Sequence, residues 1–187
     1  MQTKKNLALH RCDKRYYHVL SKLTSTCQGI RLETVLRENE LLCRKKDDTV
    51  DLYAARENIV RELASIRPAI ENSRAEIFTA GIHIARIKRG KITPLLGLLA
   101  IIRLAEKIPP PTGYAVVNEK AEKLFLYGKD VFQENILKLS QPGCNKNYVI
   151  VLNEHNDALG WGRIRKQQNT IYIQNIIDVG WYLRSGV

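Results

Sequence analysis

The feature that most constrains this chain is the run Ile108, Pro109, Pro110, Pro111, Thr112, Gly113. Consecutive prolines hold an extended polyproline geometry and donate no backbone hydrogen bond, so neither a helix nor a sheet interior can run through them. The run therefore reads as a stiff linker at a domain boundary, and 187 residues suit two small domains on either side of it. The hydrophobic pattern changes there.

Upstream, helical and strand periods mix. Tyr16, Val19, Leu20 and Leu23 recur at three and four, predicting a helix over 13–27. Residues 30–43 read as helix then strand, and the charged segment 45–48 as a hairpin turn between strands at 41–43 and 50–53. Ala55, Ile59, Val60, Leu63 and Ile66 make the apolar stripe of an amphipathic helix over 54–66, which Pro68 should end. A strand is expected from Glu76 up to Ile87, with a turn at Arg89 and Gly90. Thr93 reads as the cap and Pro94 as the first residue of a helix that is apolar nearly all round, hence buried.

Downstream, residues 114–117, 124–127, 148–152, 158–165 and 170–177 read as short strands, with one helix at about 128–139. Short strands and polar turns of this kind suggest a small barrel. The segment Leu124, Phe125, Leu126, Tyr127, Gly128 then poses a question: why would an apolar strand meet a helix through a single glycine?

The formal charge is +11. Such an excess attracts polyanions: nucleic acid, an acidic membrane surface or an acidic partner. Residues 1–113 hold 21 of the 30 basic and 12 of the 19 acidic groups, a balance of +9, and residues 114–187 carry the other +2. The longest apolar run, 94–102, falls well short of the roughly 20 residues of a membrane span. Lys4 and Lys5 have no apolar segment behind them, unlike a secretory signal. A soluble, intracellular protein without a membrane partner is expected, with Cys12, Cys27, Cys43 and Cys144 as reduced thiols.

The candidates for chemistry are few. His10, Cys12, His18 and Cys27 lie close in sequence, but their spacing fits no common zinc module, so no metal is expected. No Cys or Ser sits on a nucleophile elbow, and there is no P-loop; Gly160 and Gly162 begin a dinucleotide fingerprint that runs on as strand. Neither an enzyme, a cofactor nor a small-molecule substrate is expected. Two basic clusters remain. His83, Arg86, Lys88, Arg89 and Lys91 gather at a hairpin tip, which suits phosphate contact or mere solubility. On the strand 158–165, Gly160 and Gly162 leave one face bare so that another backbone can approach. Trp161, Arg163 and Arg165 share the opposite face, with Lys166 following in the turn. Trp161 there is either a base-stacking platform between cations or a core residue with a solvated rim.

Three motifs in order carry a resemblance: Phe125, Leu126, Tyr127, Gly128; then Leu159, Gly160, Trp161, Gly162; then Asp178, Val179, Gly180, Trp181, Tyr182, Leu183, Arg184. Together they resemble the Nip-seven family of large-ribosomal-subunit biogenesis factors. The likeness is good over about 50–187 and poor over 1–49. It implies an α+β protein: an α/β pre-PUA domain over 1–110 and a small C-terminal PUA β pseudo-barrel over 114–187. By the family pattern Gly128 is the turn where an early strand passes into a helix near 129–137, which lines an RNA groove. The RNA-facing residues that the resemblance implies are Lys129, Arg163, Arg165, Lys166 and Arg184. Gly128, Gly160, Gly162 and Gly180 would shape that surface, and Tyr182 would pack.

The function implied is non-enzymatic: binding of precursor ribosomal RNA, at single-stranded or distorted segments, during large-subunit assembly, with assembly proteins or pre-ribosomal particles as partners. The alternative is an accessory subunit that delivers RNA to a methyltransferase or pseudouridine synthase. An archaeal, cytoplasmic protein is expected, the corresponding eukaryotic location being nucleolar.

Overall fold

A computed structural model describes residues 9–73, 77, 79–105, 108–141 and 147–185. Glu76 and Phe78 of the expected strand, Cys144 and the side chain of Cys27 lie outside the described residues. The elements are β1 (His10–Arg11), α1 (Lys14–Ser21), a π-helical segment (Lys22–Cys27), α2 (Leu32–Leu36), β2 (Asn39–Lys46), β3 (Thr49–Arg56), α3 (Glu57–Glu71), β4 (Ile82–Lys88), β5 (Lys91–Pro94), α4 (Leu96–Ala105), β6 (Tyr114–Val117), α5 (Glu119–Leu126), β7 (Val131–Phe132), a 3₁₀ turn (Gln133–Asn135), β8 (Ile136–Ser140), β9 (Tyr148–Leu152), β10 (Ala158–Gln167), β11 (Thr170–Asp178) and α6 (Trp181–Arg184). They form an α+β chain of two compact units, Met1–Val19 with Leu36–Leu98, and Leu20–Val35 with Leu99–Val187.

The first unit is built on an antiparallel sheet of order β1-β2-β3-β4-β5. Arg89 and Gly90, both at positive φ, make the tight turn that joins β4 to β5. Leu41, Cys43, Val50, Leu52, Ala85, Ile87 and Ile92 alternate onto one buried face. The other face is apolar only at one end, where Leu42, Tyr53 and Ala55 meet Ile59, Val60 and Leu63 of α3.

Two helix boundaries differ from expectation. Pro68 lies inside α3 rather than ending it. Its ring removes one backbone donor, but the Asn72 N–H still donates to the Pro68 carbonyl and carries the last turn on. Thr93 and Pro94 belong to β5, and α4 starts at Leu96. A proline is tolerated there because β5 is an edge strand. Leu98, Leu99, Ile101 and Ile102 of α4 are buried, as its composition requires.

The second unit carries a six-stranded sheet of order β7-β11-β10-β9-β6-β8, antiparallel except for β6 with β9. Ala115, Val117, Val131, Val149, Val151, Leu159, Ile164 and Ile173 close around Ala121 and Phe125 of α5. Gln28 ties the N-terminal stretch into this unit. Its buried side chain donates to the Tyr148 carbonyl at 3.1 Å, and its own carbonyl accepts from the Thr112 N–H.

The order of strand and helix around Gly128 is the reverse of that expected. Residues 124–127 are the last turn of a helix, not a strand, and the expected helix at about 128–139 is instead β7, a 3₁₀ turn and β8. Asn118 caps α5 by accepting the Ala121 N–H at 2.9 Å, and Glu119 and Glu122 stand in the first turn, where the helix dipole favours them. Gly128, at φ 78°, ends the helix. Its N–H donates to the Phe125 carbonyl and that of Lys129 to the Leu124 carbonyl, the paired bonds of a Schellman motif. The glycine is required because the left-handed conformation leaves no comfortable place for a Cβ.

Candidate nucleic-acid interface

The end of α5 is held by a clasp built from the closing motif. The buried Asp178 carboxylate receives both Arg184 Nη atoms, at 2.9 and 2.7 Å. Arg184 also donates to the Leu126 carbonyl, and Asn175 Nδ2 donates to the Phe125 carbonyl at 2.7 Å and to Asp178 at 3.1 Å. The last carbonyls of α5 are thus satisfied by side chains from β11 and α6. Gly180 permits the approach, because a Cβ there would lie 2.3 Å from the Leu126 carbonyl oxygen. Arg184 therefore sits in a structural fork, over Gly128, rather than facing solvent alone.

Around this corner the surface is aromatic. Tyr127 is 71% exposed and Tyr182 64%, with the Trp181 and Tyr182 rings in an edge contact at 5.2 Å. Tyr182 was expected to pack, but the four-residue α6 holds it outward while Arg184 turns in. Lys129, two residues on from Tyr127, is also exposed. Neither Tyr127 nor Trp181 stands out as a surface residue in the sequence, because apolar motifs there suggest packing.

On β10 the two glycines have different neighbours. At Gly160 the backbone of β11 comes close, since a Cβ would meet the Ile177 carbonyl oxygen at 2.2 Å. At Gly162 the space is filled by side chains of Ile173 and Val151. Trp161 is fully buried, in a row with Ile150 and Tyr114 across β10, β9 and β6, so it is core and not a stacking platform. Its face becomes polar along the strand. Arg163 lies over the Tyr148 ring at 5.4 Å, Arg165 Nε donates to Gln174 at 3.0 Å, and Lys166 is exposed beyond them. The structure thus brings Arg163 and Arg165 together on one face of β10, whereas Lys166, expected in the turn, pairs with Ile171 inside the strand and points to the opposite face near the same hairpin end.

In the first unit the hairpin cations separate. Arg89, at the turn, is bonded through Nε to Asp48 at 3.1 Å. Arg86 and Lys88 point to the face of the sheet that also carries Lys91, Arg44 and Lys46. At its centre Asp51 is buried; Arg86 Nε stands 2.6 Å and His83 Nε2 3.1 Å from its Oδ1, and Arg44 3.6 Å from Oδ2. Burial alone would raise the Asp51 carboxyl, but the hydrogen bonds and charges of His83 and Arg86 outweigh it and hold it well below the usual carboxylate range. The His83 ring stacks on Tyr53 at 4.6 Å. Asp51, Arg44 and Lys46 escape notice in the sequence because only strand register places them beside the hairpin.

The thiol and imidazole groups regroup as well. Strand pairing sets His10 opposite Cys43, with Nε2 3.3 Å from Sγ. The hydrogen bond with Cys12 lowers the Cys43 thiol to about 7 against the effect of burial, while burial pushes Cys12 up. Among the described residues no group of three or more His, Cys, Asp or Glu side chains is placed to hold a metal ion, and no helix is long and apolar enough to cross a membrane.

Comparison with known proteins bears on the second unit first. Residues 113–187 match the family model of the UPF0113 PUA domain. This part of the second unit has the PUA fold. A UPF0113 protein of Archaeoglobus fulgidus is 38% identical over 76 residues, 36% of this chain and 43% of that protein. One of Aeropyrum pernix is 28% identical over 113 residues, 58% and 59% of the two chains. The chain thus spans about half the length of the curated relatives it matches. Two solved structures extend the likeness in fold. A hypothetical protein of Pyrococcus horikoshii superposes with TM-score 0.58 and 15% identity over 94% of this chain and 98% of that one. A conserved PUA domain protein from Thermoplasma acidophilum gives 0.54 and 14% over 95% and 99%.

Proposed function

We propose that this chain is an RNA-binding factor of archaeal large-subunit ribosome assembly, acting by capture and shape recognition without chemistry. The observation that carries the RNA reading is the surface of the PUA-fold unit. Arg163 and Arg165 share one face of β10 with Lys166 exposed on the other near the same hairpin end, and Lys129 with Tyr127 at the end of α5 and Tyr182 on α6 are exposed. Cations take phosphates, and exposed aromatic rings offer stacking to bases that an RNA presents only where it is unpaired or distorted. Precursor ribosomal RNA and assembly proteins are the partners that the motif resemblance favours, and cytoplasmic is the location that goes with them.

The test is a salt titration of the full chain on precursor large-subunit RNA, against an RNA duplex as control. Substituting Arg163, Arg165 and Lys166 together by Ala should weaken binding to the precursor and lower the slope of log K against log salt by about 2. Equal affinity for both RNAs in the wild type, or an unchanged slope in the variant, overturns the reading. Co-purification with an RNA methyltransferase or pseudouridine synthase instead of large-subunit precursors would move it to an RNA-delivering subunit of such an enzyme.

A further inference from the structure

The first unit holds a second cationic feature that is a face and not a hairpin tip. Strand pairing aligns Lys46, Thr49, Lys88 and Lys91 in one row across β2, β3, β4 and β5, and Arg44, Asp51, Arg86 and Thr93 in the next. With strands about 4.8 Å apart and rows about 6.7 Å apart, the five cations fall within a patch roughly 15 by 7 Å. Helix α3 covers the far end of this face, over Leu42, Tyr53 and Ala55, whereas Lys46, Arg86, Lys88 and Lys91 are exposed. We propose that this open end of the sheet binds the phosphodiester backbone of RNA, an inference that rests on the RNA reading of the PUA-fold unit.

Three observations point to phosphate. First, Lys88 stands directly opposite Lys91. Like charges paired across strands destabilise a sheet, and a bound phosphate relieves that repulsion. Second, Asp51, the one carboxylate within the two rows, is buried and organises rather than cancels them. It takes Arg86 through Nε, leaving that side chain 51% exposed to present its Nη edge. Third, the aromatic rings here offer no base platform: Tyr53 is buried and one face of His83 lies against it. Lysines without such a platform contact backbone rather than bases, which makes this face sequence-independent. The neighbouring turn residues Asp47 and Asp48 lie outside the two rows, and Asp48 is already bonded to Arg89.

The geometry separates this face from the tip cluster that the sequence suggests. Lys46, distant in sequence, belongs to it; Arg89 does not. The test uses the full chain and a fluorescein-labelled RNA hairpin with an unpaired arm, followed by anisotropy over a range of salt. K46A/K88A/K91A should lower the slope of log K against log salt by about 2 to 3 and leave the preference between two arm sequences unchanged. K46Q alone should lower it by about 1, and R89A should leave it as it is. These lysines are exposed near strand ends, and circular dichroism at matched salt checks that each variant folds. A wild-type slope in the triple variant overturns the face, as does an R89A effect as large as that of K46Q. So does a triple variant that loses binding to polyglutamate but not to RNA, which would mark an acidic protein as the partner. These results leave the PUA surface standing; a wild-type chain that binds no RNA removes both.

Discussion

Each unit buries one aspartate against arginine, and the two arrangements do opposite things. Asp178, in the second unit, is forked by both Nη atoms of Arg184, and the same network bonds the end carbonyls of α5. Its arginine is turned inward to complete a helix end. Asp51, in the first unit, is shared by Arg86, His83 and Arg44, and cations outnumber it on an exposed sheet face. There the carboxylate fixes the direction of guanidiniums that still reach solvent. An arginine in a recognisable motif can therefore be a structural part, and an acidic residue in a basic patch can be what keeps the patch in order.

The largest effect separating the two should come from R184A. It leaves the Asp178 carboxylate buried without its guanidinium and opens the Leu126 carbonyl, which should cost about 3 kcal/mol. Both tryptophans of the chain, Trp161 and Trp181, lie in this unit, so urea unfolding followed by tryptophan fluorescence reads it directly. R184K should recover only part of the loss, because an ammonium cannot fork. Under conditions where R184A is folded, its salt slope for RNA should match the wild type. A lowered slope at full stability would put Arg184 on the RNA and break the contrast with Asp51.

D51N should have a smaller effect, about 2 kcal/mol, because Arg86 and His83 can turn to solvent when the charge is lost. Faster amide exchange along β2, β3 and β4 is the readout. The sign of the pH dependence follows from the depressed carboxyl. An aspartate whose folded pKa lies below the ordinary value of about 3.9 contributes its full stability above that value and loses it as pH falls through the folded pKa. The gap between wild type and D51N should thus stay constant from neutral pH to about 5 and narrow below about 4. A gap that fails to narrow below about 4 would show that the ion pairs of Asp51 contribute nothing.

Much of this was readable in the sequence, and the failures have physical causes. The charged turn after Lys46 and the strands β9, β10 and β11 follow alternation that burial enforces. The segment Leu124, Phe125, Leu126, Tyr127 misled, because a short apolar run suits a strand or a buried helix end equally. The deciding signals lay outside it, in Asn118 with Glu119 and Glu122 before and Gly128 after. Alternation also put Trp161 and Arg163 correctly on one face, but could not show that this face is buried at one end and polar at the other. Lys46 and Asp51 were beyond reach, since their place beside Lys88 and Arg86 is set by the register of β3 on β4, strands far apart in the chain.

Gly128 offers the finest test of how the clasp of the second unit works. Alanine there must adopt φ near 78°, which costs an L residue about 1 to 2 kcal/mol. Its Cβ would also stand 3.2 Å from the Arg184 guanidinium, the far end of a flexible side chain that can give way. If Arg184 yields, G128A shows only the backbone term, and combining it with R184A adds the two losses. If the guanidinium is rigid in its fork, G128A also weakens the bonds to Asp178, and the double variant loses less than the sum, since the two changes then remove one shared contact. The second outcome is expected, because the two Nη bonds to Asp178 and the bond to the Leu126 carbonyl hold Arg184 from two sides. A strictly additive double variant would mean that the turn at Gly128 and the fork at Asp178 stabilise the end of α5 independently, and that Asp178 is no more selective in what it holds than Asp51.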